Sequence, residues 1–155
     1  MKRHGSPFFL SVVVLLLCAM PASARDFVAL EDTGAGTYYL PGYIDQVGPV
    51  KWLLDTGSGY PVISYDALSA LLSSRGTRYI RNITAVMADE RRRLVPIYRI
   101  SQMRLGTSCV LKDVEVAVFP NVRRNIIGMR ALKQLAPFEI SIEPLGIYLS
   151  HCNGR

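Results

Sequence analysis

The chain has 155 residues, 18 Lys and Arg against 12 Asp and Glu, a net charge of +6 and 50% hydrophobic residues. That is one domain's worth of chain with apolar residues enough for a core. Its two His and three Cys lack metal-ligand spacing and exclude a metal cluster, so no metal and no cofactor is expected, and the mild, dispersed positive charge argues against a nucleic-acid partner.

Met1-Lys2-Arg3 is basic, Phe8 to Met20 is almost wholly apolar, and Pro21-Ala22-Ser23-Ala24 follows. A basic start, an apolar run short of a comfortable span and Ala-Ser-Ala read as a secretory signal peptide over 1–24, cut after Ala24. The alternative is an uncleaved anchor helix. Cys18 lies within the segment, and the bulky Leu17 before it argues against a lipoprotein site. Residues 25–155 then form a single exported domain, periplasmic or secreted, with no stable membrane span after signal cleavage.

Phe27 to Leu30 reads as a terminal strand and Glu31 to Gly36 as a Gly-rich turn. Thr37 to Leu40 and Tyr43 to Asp45 are aromatic and β-branched and read as strands. Val47-Gly48-Pro49 turns into the strand Val50 to Leu54, and Pro61 to Ser64 is a further strand. Tyr65 to Ser73 is a helix with Ser64 as N-cap, stopped at Arg75-Gly76. Tyr79 to Met87 and Leu94 to Ile100 make a hairpin whose charged tip includes Arg91-Arg92-Arg93, a solvated turn. Met103 to Gly106 and Val110 to Phe119 alternate around a Gly turn. Val122 to Ile127 leads into Gly128, Met129 to Ala136 is a short helix stopped by Pro137, and Phe138 to Ile142 with Gly146 to Leu149 closes the chain. About nine short strands and two short helices, without repeat or linker, make an all-β, barrel-like domain. Cys109 and Cys152 sit in a compartment that permits disulfides, so one bridge and two separate thiols are both open. Asn82-Ile83-Thr84 is a glycosylation sequon only in a eukaryotic host.

The chemistry gathers at Asp55-Thr56-Gly57-Ser58, between the apolar runs 50–54 and 61–64. A second motif, Asn125-Ile126-Ile127-Gly128, precedes the short helix and closing hairpin. An apolar strand into Asp-Thr-Gly, then Ile-Ile-Gly, helix and hairpin, resembles the retropepsin-like (clan AA) aspartic proteases over about residues 36–150. The resemblance implies an acid-protease barrel active as a symmetric homodimer. It implies that Asp55 is the catalytic carboxylate, that Thr56 braces the two turns across the dimer axis, and that Gly57 permits the tight turn. Ser58 is expected on the outer oxygen of Asp55, and Ile126, Ile127 and Gly128 behind the turn. Hairpin 84–97 stands where the family's flap lies, bringing Met87, Ala88 and Asp89 to the substrate backbone. Both chain ends, Phe27–Leu30 and Ile147–Ser150, are implied as strands of an inter-subunit sheet.

Carboxylate-driven peptide hydrolysis needs two carboxyl groups sharing a site, one ionised and one protonated. Residues 25–155 are too few for two lobes, so the second carboxylate is expected from Asp55 of a second copy. Glu31-Asp32-Thr33-Gly34-Ala35 also spells Asp-Thr-Gly, but no buried strand enters it and no apolar strand leaves it. The flap segment 83–98 has no glycine, unlike the family pattern, and its arginines suggest a taste for acidic substrate residues. The expectation is an exported aspartic endopeptidase acting on peptides or proteins. The alternatives are a non-catalytic peptide-binding module of the same fold and an unrelated β-barrel interaction protein.

Overall fold

Short strands that are apolar on one side bury that side by curling around a shared core. The computed structural model describes residues 25–73 and 76–152; the expected signal segment 1–24 and Arg75 lie outside the described residues. Its elements are β1 (Asp26–Ala29), β2 (Glu31–Asp32), β3 (Tyr38–Ile44), β4 (Gly48–Leu54), β5 (Val62–Ile63), α1 (Tyr65–Leu72), β6 (Arg78–Val86), β7 (Arg92–Leu105) and β8 (Cys109–Val118). They continue with β9 (Asn125–Ile127), α2 (Met129–Leu132) with a 3-10 turn over Lys133–Leu135, β10 (Phe138–Ile142) and β11 (Leu145–Leu149). Among the described residues no helix is long and apolar enough to cross a membrane.

Eight strands form one sheet in the order β2-β3-β4-β9-β5-β8-β7-β6, and an added β3–β7 pairing closes it into a barrel. Closure falls at Gly42, which pairs with Val50 of β4 and Leu105 of β7. A Cβ there would collide with the Trp52 indole and the Arg104 carbonyl, so glycine is what lets β3 serve both neighbours. Pro41-Gly42 therefore lies inside one strand, where two were expected. Likewise β7 runs unbroken through Ser101-Gln102, because ladder pairing with β8 depends on the backbone and not on apolar side chains.

The main core fills the barrel with Trp52, Leu40, Ile44, Leu105 and Ile127, all fully buried. Each such side chain contributes about 1.5–3 kcal/mol relative to exposure. A smaller cluster of Val62, Val95, Ile97 and Ala117 lies apart, with Tyr60, Ile83 and Phe119 packed against it. The Ser64 hydroxyl accepts from the Ala67 N–H at 3.2 Å and caps α1, while the Ser64 N–H donates to the Asn125 side chain at 3.0 Å and ties α1 to β9.

The remaining three strands form a separate sheet, β1-β11-β10. The two chain-end strands pair with each other within one subunit, Val28 opposite Ile147; among the described residues β11 is paired on both edges, while β1 keeps its outer edge open. Cys109 and Cys152 are disulfide-bonded, with Cα atoms 4.2 Å apart, and join the start of β8 to the chain beyond β11.

Candidate active site

Strand β9 sets the site. It runs parallel to β4, Leu54 opposite Ile127, and antiparallel to β5, Val62 opposite Ile126. The chain leaving β4 must pass over the end of β9 to return as β5, and residues 55–61 make that crossing. Backbone bonds fasten it down. The Asp55 N–H donates to the Ile127 carbonyl at 3.2 Å, the Met129 N–H to Ser58 O at 2.8 Å, and the Arg130 N–H to Gly59 O at 3.0 Å. Gly128 admits this contact, since a Cβ there would lie 2.7 Å from Ser58 O and nearer still to Tyr60 O. Ile127 is fully buried behind the turn, and Ile126 faces the open side with the smaller cluster.

Asp55 is half-buried at the head of the crossing. Its Oδ1 accepts the Gly57 N–H at 2.9 Å; among the described residues Oδ2 has no hydrogen-bond partner. Thr56 is exposed, and its hydroxyl has no partner among them either. The Ser58 hydroxyl donates to the Tyr60 carbonyl at 2.9 Å and not to Asp55, because its reach is spent closing the exit of the loop. The competing Asp32 holds its own Gly34 N–H at 2.8 Å but lies exposed on the edge strand β2.

Above the turn lies a cleft of about 630 Å³. Asp55, Gly57 and Ser58 form its floor; Tyr60, Phe119, Val122 and Ile126 form a wall; Ile83, Ala85, Val86, Met87 and Ala88 from the β6–β7 hairpin cover it. Asp55 is the one carboxylate among the described residues lining it. Asp89, at the tip, does not line the cleft. Its carboxylate takes the Arg91 Nε at 2.6 Å and the Arg91 N–H at 3.2 Å, and the Arg91 guanidinium holds its carboxyl below the usual range. The tip closes with the Met87 N–H on Arg91 O and the Glu90 N–H on Met87 O, both 2.9 Å. Glu90 sits at φ +64°, a position that glycine ordinarily fills in such hairpins.

A polar network without a sequence motif stands beside the cleft. Arg81 grips Glu115 with two bonds, 3.1 and 2.8 Å, and Arg99 adds one at 3.0 Å. These bonds, Arg81 foremost, hold the Glu115 carboxyl down to about 2 although its burial works the other way. Arg81 also donates to the Tyr60 hydroxyl at 3.0 Å and Arg130 at 2.8 Å, with the Arg130 guanidinium 4.7 Å above the Tyr60 ring. The alternation Arg81, Ile83, Ala85, Met87 was the available signal for this face of β6.

A closed sheet with an Asp-Thr-Gly crossing under a β-hairpin defines a retropepsin-like barrel. A solved retropepsin-like aspartic protease from Rickettsia conorii shares this fold, with a TM-score of 0.58 and 17% identity over 81% of this chain and 90% of that one. The family model described as aspartyl protease matches residues 40–131, and the chain belongs to that family. A protein of unknown function from Legionella pneumophila is more loosely similar, at TM-score 0.37 and 14% identity over 61% of this chain and 83% of that one. No curated protein sequence matches.

Proposed function

We propose that the protein is an exported aspartic endopeptidase whose catalytic dyad is Asp55 from each of two subunits. The observation that carries this reading is a single carboxylate, bonded on one oxygen only, at the floor of a hairpin-covered cleft. One carboxylate cannot serve as acid and base at once. A two-fold axis at the turn supplies the second from the same gene product. Two carboxyl groups about 3 Å apart hold one proton between them, and their apparent pKa values belong to the pair. The ionised member takes a proton from water, the water oxygen attacks the peptide carbonyl carbon, and the protonated member donates to the carbonyl oxygen. The tetrahedral diol then collapses, the C–N bond breaking as one carboxyl protonates the amine nitrogen and the other takes a hydroxyl proton. The exposed Thr56 hydroxyl is free to bond across the axis. A substrate lies extended between the turn and the hairpin and is held by strand-like backbone pairing. The leading segment 1–24 supports export, and so does the Cys109–Cys152 bridge, since such bonds persist in oxidising compartments.

The test is cleavage of a peptide library by the purified protein from acid to neutral pH, beside Asp55→Asn and with a statine-type inhibitor. We expect cleavage that vanishes in the variant and with the inhibitor. A folded, dimeric wild type that binds peptides and cuts none would instead make the protein a peptide-binding module. Cleavage that survives Asp55→Asn would overturn the assignment.

A further inference from the structure

Tyr60 lines the cleft, and a cluster of charged side chains stands beside it, next to the cleft lining. Strand alternation puts Arg81 on the face of β6 that carries Ile83 and Ala85, and Glu115 on the face of β8 that carries Ala117; all three apolar residues line the cleft. A phenol oxygen offers two lone pairs and one hydrogen. Arg81 and Arg130 take the lone pairs of Tyr60 at 3.0 and 2.8 Å, and among the described residues nothing accepts its hydrogen. Three guanidinium groups, Arg81, Arg99 and Arg130, surround the one carboxylate of Glu115 at 2.8, 3.0 and 4.0 Å. Asp113, beside the small hollow behind Arg99 and Arg130, is within ion-pair distance of neither. The positive charge is therefore not cancelled, and the Arg81 and Arg130 side chains remain 40% and 52% exposed.

We propose that this end of the cleft is a subsite for a substrate carboxylate, received by the Tyr60 hydroxyl hydrogen and the outward N–H groups of Arg81 and Arg130. The inference rests on reading the cleft as a peptide site. It moves the source of an acidic preference away from the hairpin tip, where Arg91 is already bound to Asp89, and into the wall. Such a carboxylate can come from an Asp or Glu side chain or from a peptide's C-terminus.

Binding to the purified Asp55→Asn protein separates this subsite from catalysis. The probes are fluorescently labelled apolar peptides with one Glu walked along the sequence, each made with Gln at the same place and with a free or an amidated C-terminus. Anisotropy should show one Glu position binding about tenfold tighter than its Gln counterpart at low salt, with the advantage shrinking as salt screens it. Arg130→Gln, at an exposed position, and Tyr60→Phe should each lower the Glu-to-Gln ratio. A merely structural role would weaken both peptides alike and leave the ratio where it was. A preference that follows only the free C-terminus supports the subsite and assigns the carboxylate to the peptide end. Equal binding of all four forms overturns the subsite, whatever the wild type cleaves. A wild type that fails to cut peptides bound with the Glu preference overturns the hydrolytic reading and leaves the subsite standing. No peptide binding at all overturns both.

Discussion

A methyl group on Gly128 would lie 2.7 Å from the Ser58 carbonyl oxygen and closer to that of Tyr60, and both of those atoms are backbone. Gly128→Ala must therefore push the Asp55 crossing off the end of β9. Overpacking of this kind costs about 1–3 kcal/mol, which urea unfolding would read, and we expect peptide cleavage to fall further than stability does. Glu115 gives a pH signature. The Arg81 and Arg99 bonds hold its carboxyl down to about 2, from an ordinary value of 4.5, so its stabilisation is fully present above about 4.5 and is lost as pH falls through about 2. Urea midpoints of the wild type should drop across that window, while those of Glu115→Gln start lower and drop less; parallel curves would show that Glu115 is not the group responsible. The residue scale also shows where sequence reading stops. Asp32 and Asp55 each hold the N–H of the glycine two positions on, at 2.8 and 2.9 Å, so the two turns are locally alike. Only the flanking apolar strands told them apart in the sequence. What makes Asp55 different is β9 beneath it, a contact about seventy positions away that no local pattern encodes. The Tyr60–Arg81–Glu115–Arg130 cluster went unread for the same reason, since four residues on different elements meet only after folding.

At the scale of elements, the β6–β7 hairpin is the piece most open to change. Glu90 occupies a left-handed backbone position that costs an L-residue about 1–2 kcal/mol, of which glycine's extra chain entropy returns a part. Glu90→Gly should raise stability by about 0.5–1 kcal/mol by urea titration, and an unchanged or lower midpoint would show that the Glu90 side chain makes up the difference. The disulfide ties β8 to the tail across 43 positions. Replacing Cys109 and Cys152 together with Ser should cost about 2–4 kcal/mol, and reductant should lower the wild-type midpoint while leaving that of the variant alone. Strand identities were largely legible, because alternation and turn residues mark them. Their limits were less so: Pro41-Gly42 and Ser101-Gln102 look like breaks but lie within β3 and β7, where backbone pairing, of Gly42 with both its neighbours and of Gln102 with Lys112, overrides local preference.

For the whole molecule the open quantity is copy number. If Asp55 acts in a pair across a two-fold axis, activity per subunit must fall on dilution as dimers part, and equal mixing of wild type with Asp55→Asn should leave about a quarter of the dimers with two native carboxyls if subunits exchange freely. Sedimentation across the same concentrations would supply the matching dissociation curve; activity constant down to a proven monomer would end the two-subunit scheme. The parallel pairing of β4 with β9 also imposes an order in time. Asp55 leaves the ribosome well before Asn125–Ile127, and until those residues follow, its N–H has no Ile127 carbonyl to meet and the crossing has nothing to cross. A nascent chain, or a fragment cut short of Gly128, carries the acidic turn only as slack polymer. The acidic turn can therefore gain its backbone anchor only once the chain has been made through Ile127.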